Sequence, residues 1–85
     1  MARRISWSRI AQSQRISIFD YWNQKNKSKR YSRKLNHLIN ETLKILTKYP
    51  HLGKATDLNQ IRIRFISHYA LVYEFNSEEI RVLLL

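Results

Sequence analysis

Hydrophobic and polar residues alternate strictly between positions 61 and 75, and this alternation predicts two β-strands joined by a tight turn. In the first strand, one side carries apolar side chains, at Ile61, Ile63 and Phe65. Arg62 and Arg64 fall on the other side. After the polar pair Ser67-His68, the second strand carries large apolar side chains on one side, at Tyr69, Leu71, Tyr73 and Phe75. We therefore predict a hairpin with one buried apolar face and two guanidinium groups side by side on its open face.

Two segments without Gly or Pro have apolar residues three or four positions apart, which is typical of amphipathic helices. The first runs from Arg9 to about Lys25, with Ser8 as its N-cap. The second runs from Lys29 to Tyr49, with Ser28 as its N-cap. The second stripe consists of Tyr31, Leu35, Leu38, Thr42, Ile45 or Leu46, and Tyr49. The short link between the segments predicts an antiparallel helical hairpin.

Pro50 cannot continue the second helix, and Gly53 can adopt a positive φ, so Pro-His-Leu-Gly is interpreted as a turn. Residues 54–60 are polar and predict a loop. Short strands are predicted at Arg3 to Trp7 and, after a turn at 76–78, at Glu79 to Leu85. The predicted fold is therefore α+β, in the order β-α-α-β-β-β, with an antiparallel sheet and an N-terminal helical hairpin packed on one face. Residues 1–85 form a single predicted domain.

The chain ends on Val-Leu-Leu-Leu, which is unusually apolar for a terminus. One interpretation is that Ile80, Val82 and Leu84 fill the core. The other is that further chain follows, or that a partner covers this edge of the sheet.

Composition narrows the classes of function. The chain has no cysteine, and its three histidines share no metal-ligand spacing, so we expect no metal and no cofactor. No apolar stretch approaches the roughly 18 residues that span a bilayer, and no signal-peptide core follows Met1. A cytoplasmic protein without a membrane partner is predicted.

The formal net charge is +10, and its distribution is uneven. Residues 1–34 carry ten basic side chains and one acidic side chain, whereas residues 35–85 carry six and five. Such a field favours an acidic partner, either a nucleic acid, an anionic surface or an acidic protein. Six of the cations lie within ten residues, at Lys25, Lys27, Lys29, Arg30, Arg33 and Lys34. This cluster is either a solvated end of the helical hairpin or a contact for nucleic acid or an acidic protein segment.

The ordered set of motifs resembles the RelE/ParE toxins of bacterial type II toxin–antitoxin systems. The resemblance rests on Trp7-Ser8, Ala11, Ile18, Tyr21, a long second helix, Pro50-x-x-Gly53, Arg62 ahead of Tyr69-x-Leu71-x-Tyr73, and a closing aliphatic strand. It implies the fold predicted above and a small basic toxin held inactive by an antitoxin, which we expect to be acidic and partly disordered. One branch of the family cleaves mRNA on the ribosome, and the other poisons DNA gyrase.

The mRNA-cleaving branch looks like it uses a basic pair, which Arg62 and Arg64 match. It also uses an arginine directly before the Leu-Val-Tyr of the next strand, and this chain has Ala70 there. The C-terminal catalytic groups of that branch have no counterpart before Leu85, so the usual C-terminal tail is expected to be missing. The resemblance therefore favours a ParE-like toxin that binds gyrase and is not an enzyme.

Two alternatives remain open. The chain is either a RelE-like ribosome-dependent endoribonuclease that uses Arg62, Arg64 and Arg81, or an attenuated form that only binds antitoxin. The candidate anion-binding residues are Arg62, Arg64, Arg81 and Lys54, together with the six cations of the cluster. Whether the three arginines share a sheet face depends on the register of the strands.

Overall fold

The computed structural model describes residues 2–85. The elements are β1 (Arg4–Trp7), α1 (Arg9–Asn26), α2 (Arg30–Lys48), a 3-10 turn (Pro50–Leu52), β2 (Lys54–Ala55), β3 (Ile61–Ile66), β4 (Tyr69–Phe75) and β5 (Glu79–Leu84). The strands form one sheet in the order β1-β5-β4-β3-β2. The predicted α+β fold, with a helical hairpin on one face of a sheet, is confirmed.

Two details of the sheet differ from the expectation. First, β1 pairs in parallel with β5, so the sheet is mixed, while β2, β3, β4 and β5 pair antiparallel with one another. Second, the start of the expected loop at 54–60 is the short edge strand β2, in which Lys54 and Ala55 pair with Ile63 and Arg62. A two-residue strand has too few positions to show an alternating pattern, so sequence alone does not reveal it.

The core lies between the helices and one face of the sheet. α2 contributes Leu35, Ile39, Leu43 and Leu46, all 1% exposed. The sheet contributes mainly β4 and β5, through Leu71, Tyr73, Phe75, Ile80 and Val82. The predicted stripe on α2 was therefore wrong in part, because Leu38, Ile45 and Tyr49 are 39%, 48% and 62% exposed. The predicted stripe and the buried stripe both repeat at the helical period. The buried stripe is rotated around the helix axis by somewhat less than the roughly 100° that separates two consecutive residues.

Hydrogen bonds at the helix ends explain where the hairpin begins and turns. The Ser8 hydroxyl accepts from the Ala11 N–H at 3.0 Å, which confirms the predicted N-cap, and it donates to the Leu83 carbonyl at 2.9 Å. α1 ends at Lys27, which has a left-handed φ of 50°. α2 begins one residue later than predicted, so Lys29 takes the N-cap position, while the Ser28 hydroxyl accepts from the Arg30 N–H at 3.1 Å.

Two findings bear on the class of protein. Neither helix within residues 2–85 is both long enough and apolar enough to cross a membrane. In the same part of the chain, no three His, Asp or Glu side chains come together in an arrangement that would hold a metal ion.

Candidate functional site

The register of the hairpin places the arginine pair on the opposite face from the one predicted. Arg62 lies opposite Tyr73, and Arg64 lies opposite Leu71. Directly opposed residues of antiparallel strands project from the same face, and Tyr73 and Leu71 are fully buried under the helices. The prediction of two guanidinium groups on the open face was therefore wrong. The apolar side chains of β3, at Ile61, Ile63 and Phe65, lie on the open face instead.

The arginines are tolerated on the helix side because the backbone of the 3-10 turn gives them partners. Arg62 Nη1 donates to the carbonyl oxygens of Gly53 at 2.8 Å and His51 at 3.1 Å. Arg64 is more exposed, and its Nη1 lies 3.5 Å from the Leu52 carbonyl. These carbonyls follow the end of α2, where the helix no longer covers the sheet. Arg62 is thus partly used to hold the turn against β3.

Tyr73 fixes the same turn from inside the core. Its hydroxyl donates to the Pro50 carbonyl and accepts from the Gly53 N–H at 3.0 Å. Gly53 has a φ of −71°, so the expected positive φ does not explain why this position is occupied by glycine. Instead, a Cβ at this position would collide with the Tyr73 ring and hydroxyl, approaching Cε1 to 2.8 Å. Burial raises the pKa of Tyr73, because the apolar surroundings disfavour its phenolate.

The third arginine lies apart from the first two. Arg81 on β5 is opposite Glu74, on the open face, so the three arginines do not share a face. Lys54 is also on the open face, opposite Ile63. The same face carries an apolar strip, which consists of Ile63, Phe65, Val72 and Leu84. Phe65 is 66% exposed and Leu84 is 44% exposed. We call this surface the open-face strip.

A cleft of about 370 Å³ gathers residues that sequence reasoning did not connect. Its lining includes Arg3, His51, Arg62 and Phe75. Arg3 donates to the Asn76 and Thr47 carbonyls, and the His51 ring packs edge-on against Phe75 with 4.9 Å between centroids. Nothing in the local sequence signals this cleft, because the topology alone brings β1, the 3-10 turn and β3 to one corner of the molecule.

The groups needed for proton transfer are dispersed or already engaged. Ala70 offers no donor, as the sequence shows, and it lies on the open face opposite Phe65. The Tyr69 hydroxyl accepts from Trp22 Nε1 at 2.7 Å. His68 lies exposed in the hairpin turn, on a different element from His51. The arrangement therefore offers cationic hydrogen-bond donors at the cleft, with the imidazole of His51 among them.

The six cations of the predicted cluster do come together. They surround the α1–α2 junction, and every one of them is exposed. We call this surface the basic tip, formed by Lys25, Lys27, Lys29, Arg30, Arg33 and Lys34. Within residues 2–85, the only ion pair shorter than 4 Å joins Arg4 to Glu79 at 3.9 Å, far from this cluster in the fold. The basic tip is thus charged and not neutralised by the rest of the described chain.

Comparison with known proteins decides the family. The family model described as the ParE toxin of the type II toxin–antitoxin system parDE matches residues 5–85. The chain belongs to the ParE toxin family. Among solved structures, it is similar to a chain described as the chromosomal ParDE toxin–antitoxin system from P. aeruginosa. That match has a TM-score of 0.76 and 17% identity, and it covers 98% of this chain and 92% of the other. No curated protein sequence matches the chain.

The predicted relationship to RelE/ParE toxins is therefore confirmed. The assignment to the ParE toxin family holds although the arginine pair lies on the face that was not predicted. The family match extends over both helices and all five strands, so it does not depend on where two side chains of β3 project.

Proposed function

We propose that this ParE-family toxin inhibits growth by binding DNA gyrase, without catalysing a reaction, and that residues 1–85 act as one toxin domain. The observation that supports binding over catalysis is the engagement of Arg62 and Tyr73 with the backbone of residues 50–53. RNA cleavage needs a proton acceptor, a proton donor and free cationic donors around one phosphate. Here the buried tyrosine has both hydrogen bonds made, and Arg62 already donates twice.

A RelE-like endoribonuclease is the second candidate, and one observation favours it. The cleft beside β3 combines two guanidinium groups, from Arg3 and Arg62, with the imidazole of His51. A guanidinium stabilises developing phosphorane charge, and an imidazole transfers protons near neutral pH. If the chain cleaves RNA, His51 is the residue on which that activity should depend.

Controlled expression of the chain without antitoxin separates these candidates. We expect growth arrest with induced DNA damage, and loss of supercoiling activity when purified toxin is added to gyrase. We expect no codon-phased cuts in ribosome-bound mRNA, whether His51 is present or replaced in His51→Ala.

Two other results would contradict the proposal. Codon-phased cuts that disappear in His51→Ala would assign the nuclease. Unimpaired growth and active gyrase, with antitoxin still bound, would identify an attenuated form.

We further propose that the toxin acts in the cytoplasm and is neutralised by a cognate antitoxin that is acidic and partly disordered before binding. The net charge of +10 supports an acidic partner. The open-face strip supports an apolar segment in that partner, because Phe65 and Leu84 expose large side chains on the same face of the sheet as Arg81 and Lys54. The predicted stripe of α2 also exposes apolar side chains, at Leu38, Ile45 and Tyr49, and it offers such a segment a second apolar surface.

Replacing Phe65 with alanine should weaken antitoxin binding by about tenfold to a hundredfold, because burying a phenylalanine ring stabilises a complex by about 1.5–3 kcal/mol. Titration calorimetry with the antitoxin encoded beside the toxin gene would measure this change. Leu58→Ala is the matched control, since Leu58 is 63% exposed but lies in the 56–60 loop, off the strip. Equal losses in the two variants would contradict an antitoxin site on the open face.

A further inference from the structure

The part of the basic tip that belongs to α2 is arranged against the electrostatic preference of its helix, whereas Lys25 and Lys27 lie at the C-terminal end of α1, where basic residues are favoured. A helix N-terminus carries partial positive charge, so acidic residues stabilise the first turn and basic residues disfavour it. The first turn of α2 has no acidic residue, and its N-cap residue provides no side-chain hydrogen bond, yet Lys29, Arg30 and Arg33 surround it. Within the described chain, no carboxylate lies within ion-pair distance of any of them. Folding therefore gives no reason for the charge at the start of α2, whereas a bound polyanion would neutralise it.

The composition of the tip fits a nucleic acid better than a protein. Protein interfaces have an apolar centre from which charged residues are depleted, whereas protein–DNA interfaces are polar and strongly positive. Residues 23–30 contain no apolar side chain at all. The most exposed apolar residues of this toxin, Phe65, Leu58 and Tyr49, lie elsewhere. Beside the tip, a protein partner would find one exposed aromatic side chain, Tyr21, which is 54% exposed.

The aromatic residues near the tip favour a duplex over a single strand. Single-stranded nucleic acids bind by stacking bases on free aromatic rings. Trp22 and Tyr31 pack against each other with 4.7 Å between centroids, and both are only partly exposed. Trp22 donates to Tyr69, and the Tyr31 hydroxyl contacts the Ser67 hydroxyl at 3.3 Å. Tyr21 is exposed, but its ring meets Trp22 edge-on and Lys25 Nζ lies 5.7 Å from its centroid. The tip thus presents charge without a stacking platform.

We propose that the basic tip binds the phosphodiester backbone of duplex DNA without sequence preference. This site is separate from the open-face strip proposed for the antitoxin, and it does not depend on the gyrase or antitoxin proposal. Its cations are mostly lysines on flexible stems, which suit phosphate contacts and do not read bases. If four to six phosphates are neutralised, the logarithm of the association constant should fall with the logarithm of salt concentration with a slope between about −3.6 and −5.4.

The test measures fluorescence anisotropy of a labelled 30-base-pair duplex of arbitrary sequence, titrated with the purified full chain at several salt concentrations. The tip variant Lys29→Glu with Arg30→Glu removes two cations and adds two acids at the first turn of α2. The control variant Arg9→Glu with Lys44→Glu makes the same change in net charge. Arg9 and Lys44 are exposed, and along their helices they lie about 24 Å from Lys25 and about 15 Å from Lys34, the nearest tip residues.

We expect the tip variant to bind the duplex about tenfold or more weakly with a salt slope reduced by about 2, and the control variant to lose less than about threefold. The tip variant should also raise the Tm, by about 4 °C, because its new acids favour the α2 N-terminus. If the tip variant has a higher Tm and still binds the duplex more weakly, the weaker binding results from lost phosphate contacts and not from unfolding.

Three results would overturn the proposal. Equal losses in the two variants would show that only net charge matters. Tighter binding to a 30-nucleotide single strand would show a stacking site in place of a duplex site. Tighter binding to polyglutamate than to the duplex, lost in the tip variant, would make the tip a contact for an acidic protein.

Discussion

Replacing Gly53 with alanine is expected to lower the free energy of unfolding by about 3 kcal/mol, one of the two largest effects predicted for a single substitution in this toxin. The added Cβ would collide with the Tyr73 hydroxyl and would lie 2.8 Å from Cε1 and 2.9 Å from Cζ of the same ring. Tyr73 is fully buried, so its ring has no free space to move into. Forcing one extra methyl group into a packed core costs about 1–3 kcal/mol, and separating the turn from Tyr73 would also lose the Gly53 N–H hydrogen bond.

Urea unfolding followed by circular dichroism would measure this loss. The backbone at Gly53, with φ −71° and ψ 159°, is accessible to alanine, so a steric cause is tested without backbone strain. Lys54→Ala, at the next and exposed position, is the control and should change stability by less than about 0.5 kcal/mol. If Gly53→Ala unfolds at the same urea concentration as the parent chain, the close contact between the turn and β4 is contradicted.

Local features were predicted well from the sequence, because neighbouring residues determine them. The Ser8 cap, the tight turn at Ser67-His68 and the end of α2 before Pro50 each depend on residues within a few positions of one another. The alternation in β4 also predicted its buried side correctly, at Leu71, Tyr73 and Phe75. In these cases the chemistry of the local segment leaves one arrangement that is clearly favoured.

The side of β3 that faces the helices followed from the predicted turn. Alternation alone does not show which side the helices cover, but a two-residue turn at Ser67-His68 fixes the register and sets Arg62 and Arg64 opposite Tyr73 and Leu71. In β3 the apolar side, with Ile63 and Phe65, is open, while Arg62 reaches the carbonyls of the 3-10 turn. Those carbonyls are nine and eleven residues away along the chain, so no window along β3 reveals them.

Features that depend on topology were missed for a related reason. The parallel pairing of β1 with β5 joins residues about 75 positions apart, such as Ile5 and Ile80. The cleft that holds Arg3, His51 and Arg62 forms only after this pairing and the hairpin have both formed. The family resemblance, in contrast, uses the order of elements along the whole chain, and it therefore remained correct when one face was assigned wrongly.

Replacing Tyr73 with phenylalanine is the second large expected effect, a loss of about 2–4 kcal/mol in the free energy of unfolding. The substitution keeps the ring but removes the hydroxyl that bridges the Pro50 carbonyl and the Gly53 N–H. Pro50 and Gly53 are buried, so each group would be left without a partner in the core, at a cost of about 1–3 kcal/mol each. Tyr49→Phe is the control, because Tyr49 is 62% exposed, and it should change stability by less than about 0.5 kcal/mol.

The pH dependence of the unfolding free energy tests whether the Tyr73 hydroxyl is the cause of this loss. Burial raises the pKa of Tyr73 in the folded toxin above the value of about 10 that it has in the unfolded chain. The folded state therefore holds this proton more tightly, and the resulting stability is fully present below about pH 10 and is lost as the pH rises through the folded-state pKa. The difference in unfolding free energy between the parent chain and Tyr73→Phe should be constant from pH 7 to 9 and should shrink above pH 10. A difference that grows above pH 10 would mean that the phenolate, and not the neutral hydroxyl, is favoured at the turn.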